Sequence, residues 1–186
     1  CVIPKSEARF EDADIYICGF NKTRVALNKS LRKRKGYKGD MCATERIIAL
    51  SNDTDLGVYN GLMGTVIDIQ SRHRQKVYPK SRDIIDTDII VAKVLWDGEQ
   101  TPRLTRLSTY CLGHASPEWA VSQAHRGVAA IVDYAYAITC HKAQGSEWDR
   151  VVVMNEVYPK FWPQQKWGYT AGTRAAKRLI YGVSGL

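Results

Sequence analysis

The sequence lacks a long apolar run and lacks paired cysteines. No stretch approaches the ~20 consecutive apolar residues that a membrane-spanning helix needs, which argues against a transmembrane protein. The five cysteines are scattered without a C-x-x-C pair: Cys1, Cys18, Cys42, Cys111 and Cys140. This spacing argues against a disulfide framework and a zinc knuckle, and it predicts reduced thiols, no metal site and a cytosol-like compartment.

The common motifs of self-contained hydrolases are also missing. There is no G-x-x-x-x-G-K-[S/T] loop to hold the phosphates of a nucleoside triphosphate, no G-x-S-x-G and no H-E-x-x-H. The chain also begins with Cys1 and not with Met. We therefore expect a part of a longer protein, without hydrolytic activity of its own.

Basic residues are in excess, and the excess is local. The chain has 27 Lys and Arg against 19 Asp and Glu, a formal net charge of +8. One acid-free basic run spans 22–38, and a second contains Arg72, Arg74, Lys76, Lys80 and Arg82. Such runs are often solvated surfaces, but two of them favour a polyanionic partner, nucleic acid first.

The order of apolar patterns predicts an α/β domain interrupted by a small barrel. A strand over 14–20 precedes a helix that starts near Asn21 and runs to about Lys35, the half-step of a parallel sheet. Short strands separated by Gly, Asn and Asp turns follow, which predicts a small antiparallel barrel at 40–110. A strand over 128–139, a second strand over 151–154, a helix over 164–176 and a last strand over 179–183 return to the α/β pattern. The predicted domains are therefore 1–39 with 111–186, and 40–110.

Three polar segments flank these predicted strands: NKTR at 21–24, TCHKAQGSEWD at 139–149 and YTAGTRAAKRL at 169–179. Each residue alone has a structural explanation, such as a surface arginine or a turn glycine. Together, and in this order, the segments resemble a known family. YAITCHKAQGSEWDRVVV followed by YTAGTRAAKRL resembles motifs V and VI of superfamily 1 helicases, closest to the RecD-like branch and related phage helicases. DIYICGFNKTR resembles motif IV of that branch, and residues 39–69 resemble the entry to its inserted SH3-like barrel.

The resemblance implies the second RecA-like motor domain, with the barrel inserted into it. In this family, ATP with Mg²⁺ lies between two motor domains, and the first domain supplies the phosphate loop and the magnesium carboxylate. The second domain supplies arginines that reach the γ-phosphate, which by motif position are Arg174 and Arg24. Glu147 matches the residue that accepts a hydrogen bond from the ribose, and Gly145 lets the backbone approach the ligand. Gly172 departs from the family, which usually has a bulky apolar residue there.

The resemblance also implies contacts with DNA. Thr139 and His141 match positions that face the phosphates of a single strand, and Arg72, Arg74 and Lys76 would carry the barrel's contribution. Exposed tyrosines such as Tyr59 and Tyr78 would stack on bases. A barrel that serves only in packing or in protein interaction is the alternative.

The function implied by the resemblance is the C-terminal half of an ATP-dependent 5′–3′ DNA helicase of DNA repair or recombination. Its expected location is the cytoplasm of a bacterial or phage-infected cell. Its expected partners are single-stranded and duplex DNA, the N-terminal motor domain, and nuclease or other helicase-complex subunits. A non-enzymatic nucleic-acid-binding or partner-docking module of a nuclease–helicase assembly is the alternative.

Overall fold

The computed structural model describes residues 13–77, 85–115, 127–156 and 163–182. In chain order the elements are β1 (Ile15–Cys18), α1 (Asn21–Arg34), β2 (Arg46–Ala49), β3 (Met63–Val77), β4 (Ile85–Trp96), β5 (Arg103–Ser108), β6 (Ala130–Tyr134), β7 (Ala137–Thr139), β8 (Trp148–Val153), α2 (Gln164–Gly172) and β9 (Ala175–Tyr181). They form two compact units. The sheet unit contains the described residues up to Leu31 and from Tyr136 onward, and the barrel unit runs from Arg32 to Ala135.

The sheet unit contains a four-stranded parallel sheet in the order β7-β1-β8-β9. All four residues of β1 and the Val151–Val153 run of β8 are buried, the continuous apolar pattern of central parallel strands. Helix α1 buries one face, formed by Arg24, Leu27, Asn28 and Leu31 at helical spacing. Its last turn carries Arg32, Lys33 and Arg34, which suits the negative end of the helix dipole.

The barrel unit is a closed five-stranded barrel in the order β2-β3-β4-β5-β6. The predicted fold class, a RecA-like α/β sheet with an inserted small SH3-like β-barrel, is confirmed. One detail differs, because β5 and β6 pair in parallel while the other pairs of the barrel are antiparallel.

The barrel unit is also wider than the predicted 40–110. The strand predicted over 128–139 is two strands, since hydrogen-bond partners change between Ala135 and Tyr136. The Ala135 N–H donates to the Arg46 carbonyl at 2.9 Å, whereas the Tyr136 N–H donates to the Asn28 side chain at 3.1 Å. The first half therefore closes the barrel as β6, and the second half enters the parallel sheet as β7.

Helix α2 ends at Gly172, four residues before the predicted end, because residues from Ala175 onward pair with β8. Two glycines let α2 lie close to β9. A Cβ at Gly168 would lie 2.8 Å from the Tyr181 hydroxyl, and one at Gly172 would lie 3.3 Å from the Leu179 side chain. A side chain at Gly172 would therefore require Leu179 to shift by a few tenths of an ångström.

Several buried polar side chains of the barrel unit have hydrogen-bond partners within that unit. The fully buried Glu45 carboxylate accepts hydrogen bonds from Arg32 Nε at 2.5 Å and from the Cys42 N–H at 2.8 Å. The Arg32 guanidinium lies over the Tyr134 ring, 4.0 Å from its centroid. Buried Asp133 accepts from the Gly113 and Tyr134 N–H groups.

Candidate functional site

Glu147 and Arg174 lie at the same edge of the parallel sheet. Trp148 begins β8 and Ala175 begins β9, and these two residues are register partners. The Trp148 N–H donates to the Arg174 carbonyl at 2.9 Å. Glu147 and Arg174 therefore precede adjacent strand starts, at the amino edge of the sheet.

The Arg174 guanidinium is half-buried and held by its own domain. Nε donates to the Thr170 carbonyl at 3.2 Å, Nη1 to the Ser146 carbonyl at 3.2 Å and Nη2 to the Thr173 hydroxyl at 3.1 Å. Its charge also acts on Cys140, where burial raises the thiol pKa and Arg174 opposes that rise. Arg174 thus joins the end of α2 to the loop that contains Glu147.

The loop that contacts Arg174 leaves its backbone accessible at Gly145. Gly145 has φ +85°, a conformation that favours glycine, and a Cβ there would have no heavy atom within 4 Å. The Glu147 carboxylate is exposed. An exposed carboxylate, an open glycine backbone and a fixed guanidinium fit a nucleotide: they offer an acceptor for hydroxyls, room for close approach and a cation for phosphate.

Thr139 and His141 lie at the opposite, carboxyl edge. Thr139 ends β7 in register with Cys18 of β1. A tight turn follows, in which the Lys142 and Ala143 N–H groups donate to the Thr139 carbonyl at 2.9 and 3.1 Å. The turn buries Ala143 and leaves His141 exposed.

A cavity of about 170 Å³ opens between this turn and α2. Its lining consists of Cys140, His141, Gln144, Pro163, Lys166, Trp167 and Thr170. The lining combines an ammonium, an imidazole and an amide with the apolar indole and pyrrolidine rings. It can therefore hold one small polar group, such as part of a nucleotide.

Arg24 also lies at the carboxyl edge, in the first turn of α1, and is 7% exposed. Its Nε donates to the Asn21 side chain at 3.1 Å. The structure therefore does not bring the two predicted arginines to the same edge: Arg24 follows the end of β1, whereas Arg174 precedes the start of β9.

Sequence reasoning missed Glu156, which follows β8. Its carboxylate accepts hydrogen bonds from the Gly19 N–H at 2.5 Å and from the Thr23 hydroxyl. No motif marks a single acidic residue at this position. Only the pairing of β1 with β8 brings it to α1.

The described basic residues that were predicted to contact DNA lie on β3, which pairs with β4 to form a two-stranded arm. Arg72, Arg74 and Lys76 alternate along β3, which places them on one face, and all three are exposed. Arg72 donates to the Met41 carbonyl and lies 3.8 Å from the Asp40 carboxylate. Asp88 is exposed and stands opposite Arg74 in the register, so an acidic residue offsets part of the basic charge of this face.

Two further predictions concern the same unit. Tyr59 is 57% exposed, as stacking on a base requires. Lys80, Arg82 and Tyr78 lie outside the described residues.

Within the part of the chain that the structure describes, no group of three His, Cys, Asp or Glu residues lies close enough to hold a metal ion. The same residues include no helix with the length and hydropathy required to span a bilayer.

Comparison with known proteins finds one family model that matches part of the chain. Residues 134–180 match the model of the UvrD-like helicase C-terminal domain. This segment contains Thr139, His141, Gly145, Glu147 and Arg174. No curated protein sequence matches the chain.

Two solved helicases show the extent of structural similarity. The Pif1 helicase from Candida albicans aligns with 90% of this chain at 15% identity and a TM-score of 0.53. Pif1 from Bacteroides, solved with ADP-AlF3 and ssDNA, aligns with 90% at 18% identity and a TM-score of 0.48. The aligned part covers 44% and 39% of those two chains.

The family-model match over 134–180 and the shared fold support the predicted C-terminal motor domain of the superfamily 1 helicase type. The RecD-like branch remains a prediction.

Proposed function

We propose that this chain is the second motor domain of an ATP-dependent DNA helicase, in which Arg174 reaches the γ-phosphate of a nucleotide held mainly by another motor domain. The pairing of Trp148 with Ala175 carries the proposal, because it brings Arg174 and Glu147 to one edge. Glu147 would accept from the ribose, and the backbone at Gly145 would approach the ligand. The guanidinium of an arginine is planar and always charged, so it can stabilise the negative charge that spreads over the oxygens of the transferring phosphoryl group.

Mg²⁺ would be held mainly by that other domain, which also carries the phosphate loop. When bound, the metal neutralises charge on the phosphates. The residues of this chain would orient the nucleotide, and the Arg174 guanidinium would supply a second positive charge beside the metal.

DNA would be bound at the carboxyl edge. Thr139 and His141 would contact phosphates of a single strand, with Arg72, Arg74 and Lys76 of the barrel arm as a second group. Arg24 lies at this carboxyl edge too, so its role as a second arginine directed to the nucleotide requires the phosphates to extend from the edge of Arg174 toward the carboxyl ends of β1 and β8. Translocation from 5′ to 3′ and association with nuclease subunits, as in the RecD-like branch, complete the proposal.

Replacement of Arg174 tests the nucleotide role in the full-length protein. We expect Arg174→Ala to lower DNA-stimulated ATP hydrolysis by about 10³-fold while nucleotide binding is retained, since such arginines act on the transition state. Arg178→Ala, a change to an exposed arginine of β9, is the matched control. An unchanged hydrolysis rate in Arg174→Ala would refute the role.

A second candidate function, a nucleic-acid-binding module without catalysis, is favoured by one observation. All three guanidinium nitrogens of Arg174 have partners within the sheet unit. Both functions predict that the chain binds single-stranded DNA with an affinity that falls as salt rises.

ATP turnover distinguishes the two functions. We expect the 186-residue chain alone to hydrolyse no ATP and the full-length protein to hydrolyse it in the presence of DNA. Mg²⁺-dependent ATP turnover by the chain alone would contradict the proposal that another motor domain supplies the phosphate loop. A full-length protein without ATP turnover would favour the binding module.

A further inference from the structure

The carboxyl ends of β1 and β8 flank the position at which open parallel sheets usually bind ligands. After β1 the next strand of the sheet is β7, on one side, whereas after β8 it is β9, on the other side. Such a reversal creates a crevice at the carboxyl edge between the two strands. Arg24 belongs to the helix that begins at this crevice.

The Glu156 carboxylate lies in this crevice and joins its two walls. One oxygen accepts from the Gly19 N–H at 2.5 Å, and the other accepts from the Thr23 hydroxyl. Gly19 follows β1, Thr23 belongs to the first turn of α1, and Glu156 follows β8. One side chain therefore links the end of β8 to the start of α1.

The charges of Glu156 and Arg24 lie near the same buried atom. Burial raises the pKa of the Cys18 thiol to about 12, the Glu156 carboxylate adds to the rise and the Arg24 guanidinium opposes it. Arg24 is itself buried and held by Asn21, the first residue of α1. The carboxylate that fixes the first turn of α1 is thus close to the arginine that this turn carries.

We propose that Glu156 is a positioning residue for Arg24: by binding the Gly19 N–H and the Thr23 hydroxyl, it fixes the first turn of α1 and hence the Arg24 guanidinium. This inference rests on the proposed nucleotide role of Arg24.

The Gly19 N–H can only donate, so it requires an acceptor at this position, whereas the Thr23 hydroxyl can donate or accept. A glutamine could therefore keep both contacts, and replacement by alanine is the change that removes both bonds. Hydrogen bonds to a charged acceptor are also stronger than bonds to a neutral one. The loss would loosen the first turn of α1 without removing any atom of Arg24.

The first experiment compares single variants of the full-length protein in DNA-stimulated ATP hydrolysis. We expect Glu156→Ala and Thr23→Val to lower kcat by about 10- to 100-fold with KM for ATP little changed, as misplacement of a group that acts in the transition state does. Thr23→Ser keeps the hydroxyl and should retain kcat. Asn155→Ala, a change to the exposed residue before Glu156, is the matched control.

The second experiment is a double-mutant cycle with Arg24→Ala. If Glu156 acts through Arg24, Glu156→Ala should lower kcat in the parent protein but not further in the Arg24→Ala background. Equal reductions in both backgrounds, or an unchanged kcat in Glu156→Ala, would overturn the inference. The Thr23→Val and Thr23→Ser pair keeps the test decisive if Glu156→Ala fails to fold, since equal kcat values for that pair would also overturn it.

The cycle separates this inference from the proposed function. If Arg24→Ala leaves kcat unchanged, the nucleotide role of Arg24 fails and the positioning role falls with it. If Arg24→Ala lowers kcat and Glu156→Ala does not, only the positioning role fails.

Discussion

The two units of this chain use their charged residues differently. In the barrel unit, the carboxylates of Glu45, Asp53 and Asp133 are buried, and each accepts hydrogen bonds within the unit. In the sheet unit, Glu147 and His141 are exposed in the loop that follows β7. Buried pairs hold a fold in one arrangement, whereas exposed groups at strand ends are available to ligands. These three carboxylates of the barrel unit therefore serve its structure, whereas Glu147 and His141 of the sheet unit are accessible to solvent.

The largest expected effect on stability concerns Glu45. Glu45→Ala would leave the Arg32 guanidinium without its carboxylate, and we expect it to lower the free energy of unfolding by about 3–5 kcal/mol. The matched change in the sheet unit is Asp149→Ala, because the Lys177–Asp149 pair is exposed, with 73% and 52% of the two side chains accessible. That change should cost less than about 1 kcal/mol. Urea denaturation measures both, and equal effects would remove the distinction between the units.

An intermediate effect is expected at Asn28, the sheet unit's own buried polar anchor. Its amide accepts from the Tyr136 and Ala137 N–H groups at 3.1 and 2.8 Å and donates to the Ala137 carbonyl at 3.0 Å. Asn28→Ala leaves these buried backbone groups without that partner, so we expect a loss of about 2–3 kcal/mol. Lys29→Ala at the exposed neighbouring position should stay within about 0.5 kcal/mol. A small loss at Asn28 would show that the sheet unit has no such anchor.

The smallest effect is expected in alkaline solution. Burial raises the pKa of Tyr134 from 10.0 to about 12, while the Arg32 guanidinium opposes the rise. The folded state therefore keeps a proton that the unfolded state loses, and this stabilisation is present below pH ~10 and is lost as pH rises toward 12. Tyr134→Phe should flatten the fall of the thermal midpoint between pH 10 and 12. In the sheet unit, burial raises the pKa of the Cys18 thiol to about 12, so Cys18→Ala should also flatten the fall of the thermal midpoint in alkaline solution. A parent-like pH slope in Tyr134→Phe would contradict the assignment.

Local patterns were sufficient to predict much of the fold. The apolar run of β1, the basic end of α1 and the Val151–Val153 run are determined by neighbours in sequence, and each was found as predicted. One of the Gly and Asp turns predicted between the barrel strands lies at Asp97–Gly98, where Gly98 has φ +91°. These features depend on propensity and periodicity, which a single sequence contains.

The misses share a physical cause, since each depends on pairing between distant residues. An apolar run such as Ala130–Tyr134 suits a barrel or a parallel sheet equally well, and only its pairing with β2 and β5 decides. The end of α2 is set by the pairing of Ala175 with Trp148, which overrides the helix propensity of the alanines. Motif resemblance pointed to Glu147 and Arg174 but gave no signal for Glu156.

The change of partners between Ala135 and Tyr136 limits how the two units can be exchanged. The Ala135 N–H donates to the Arg46 carbonyl of the barrel unit, whereas the carbonyl of the next residue, Tyr136, accepts from the Tyr16 N–H of the sheet unit at 3.0 Å. A single inserted residue here would shift a strand register and turn its side chains to the opposite face. A graft of residues 40–110 alone would lack both the fifth barrel strand and Arg32. Recombination that preserves this module must therefore cut outside 32–135, and natural length variation should accumulate in surface loops of the barrel instead.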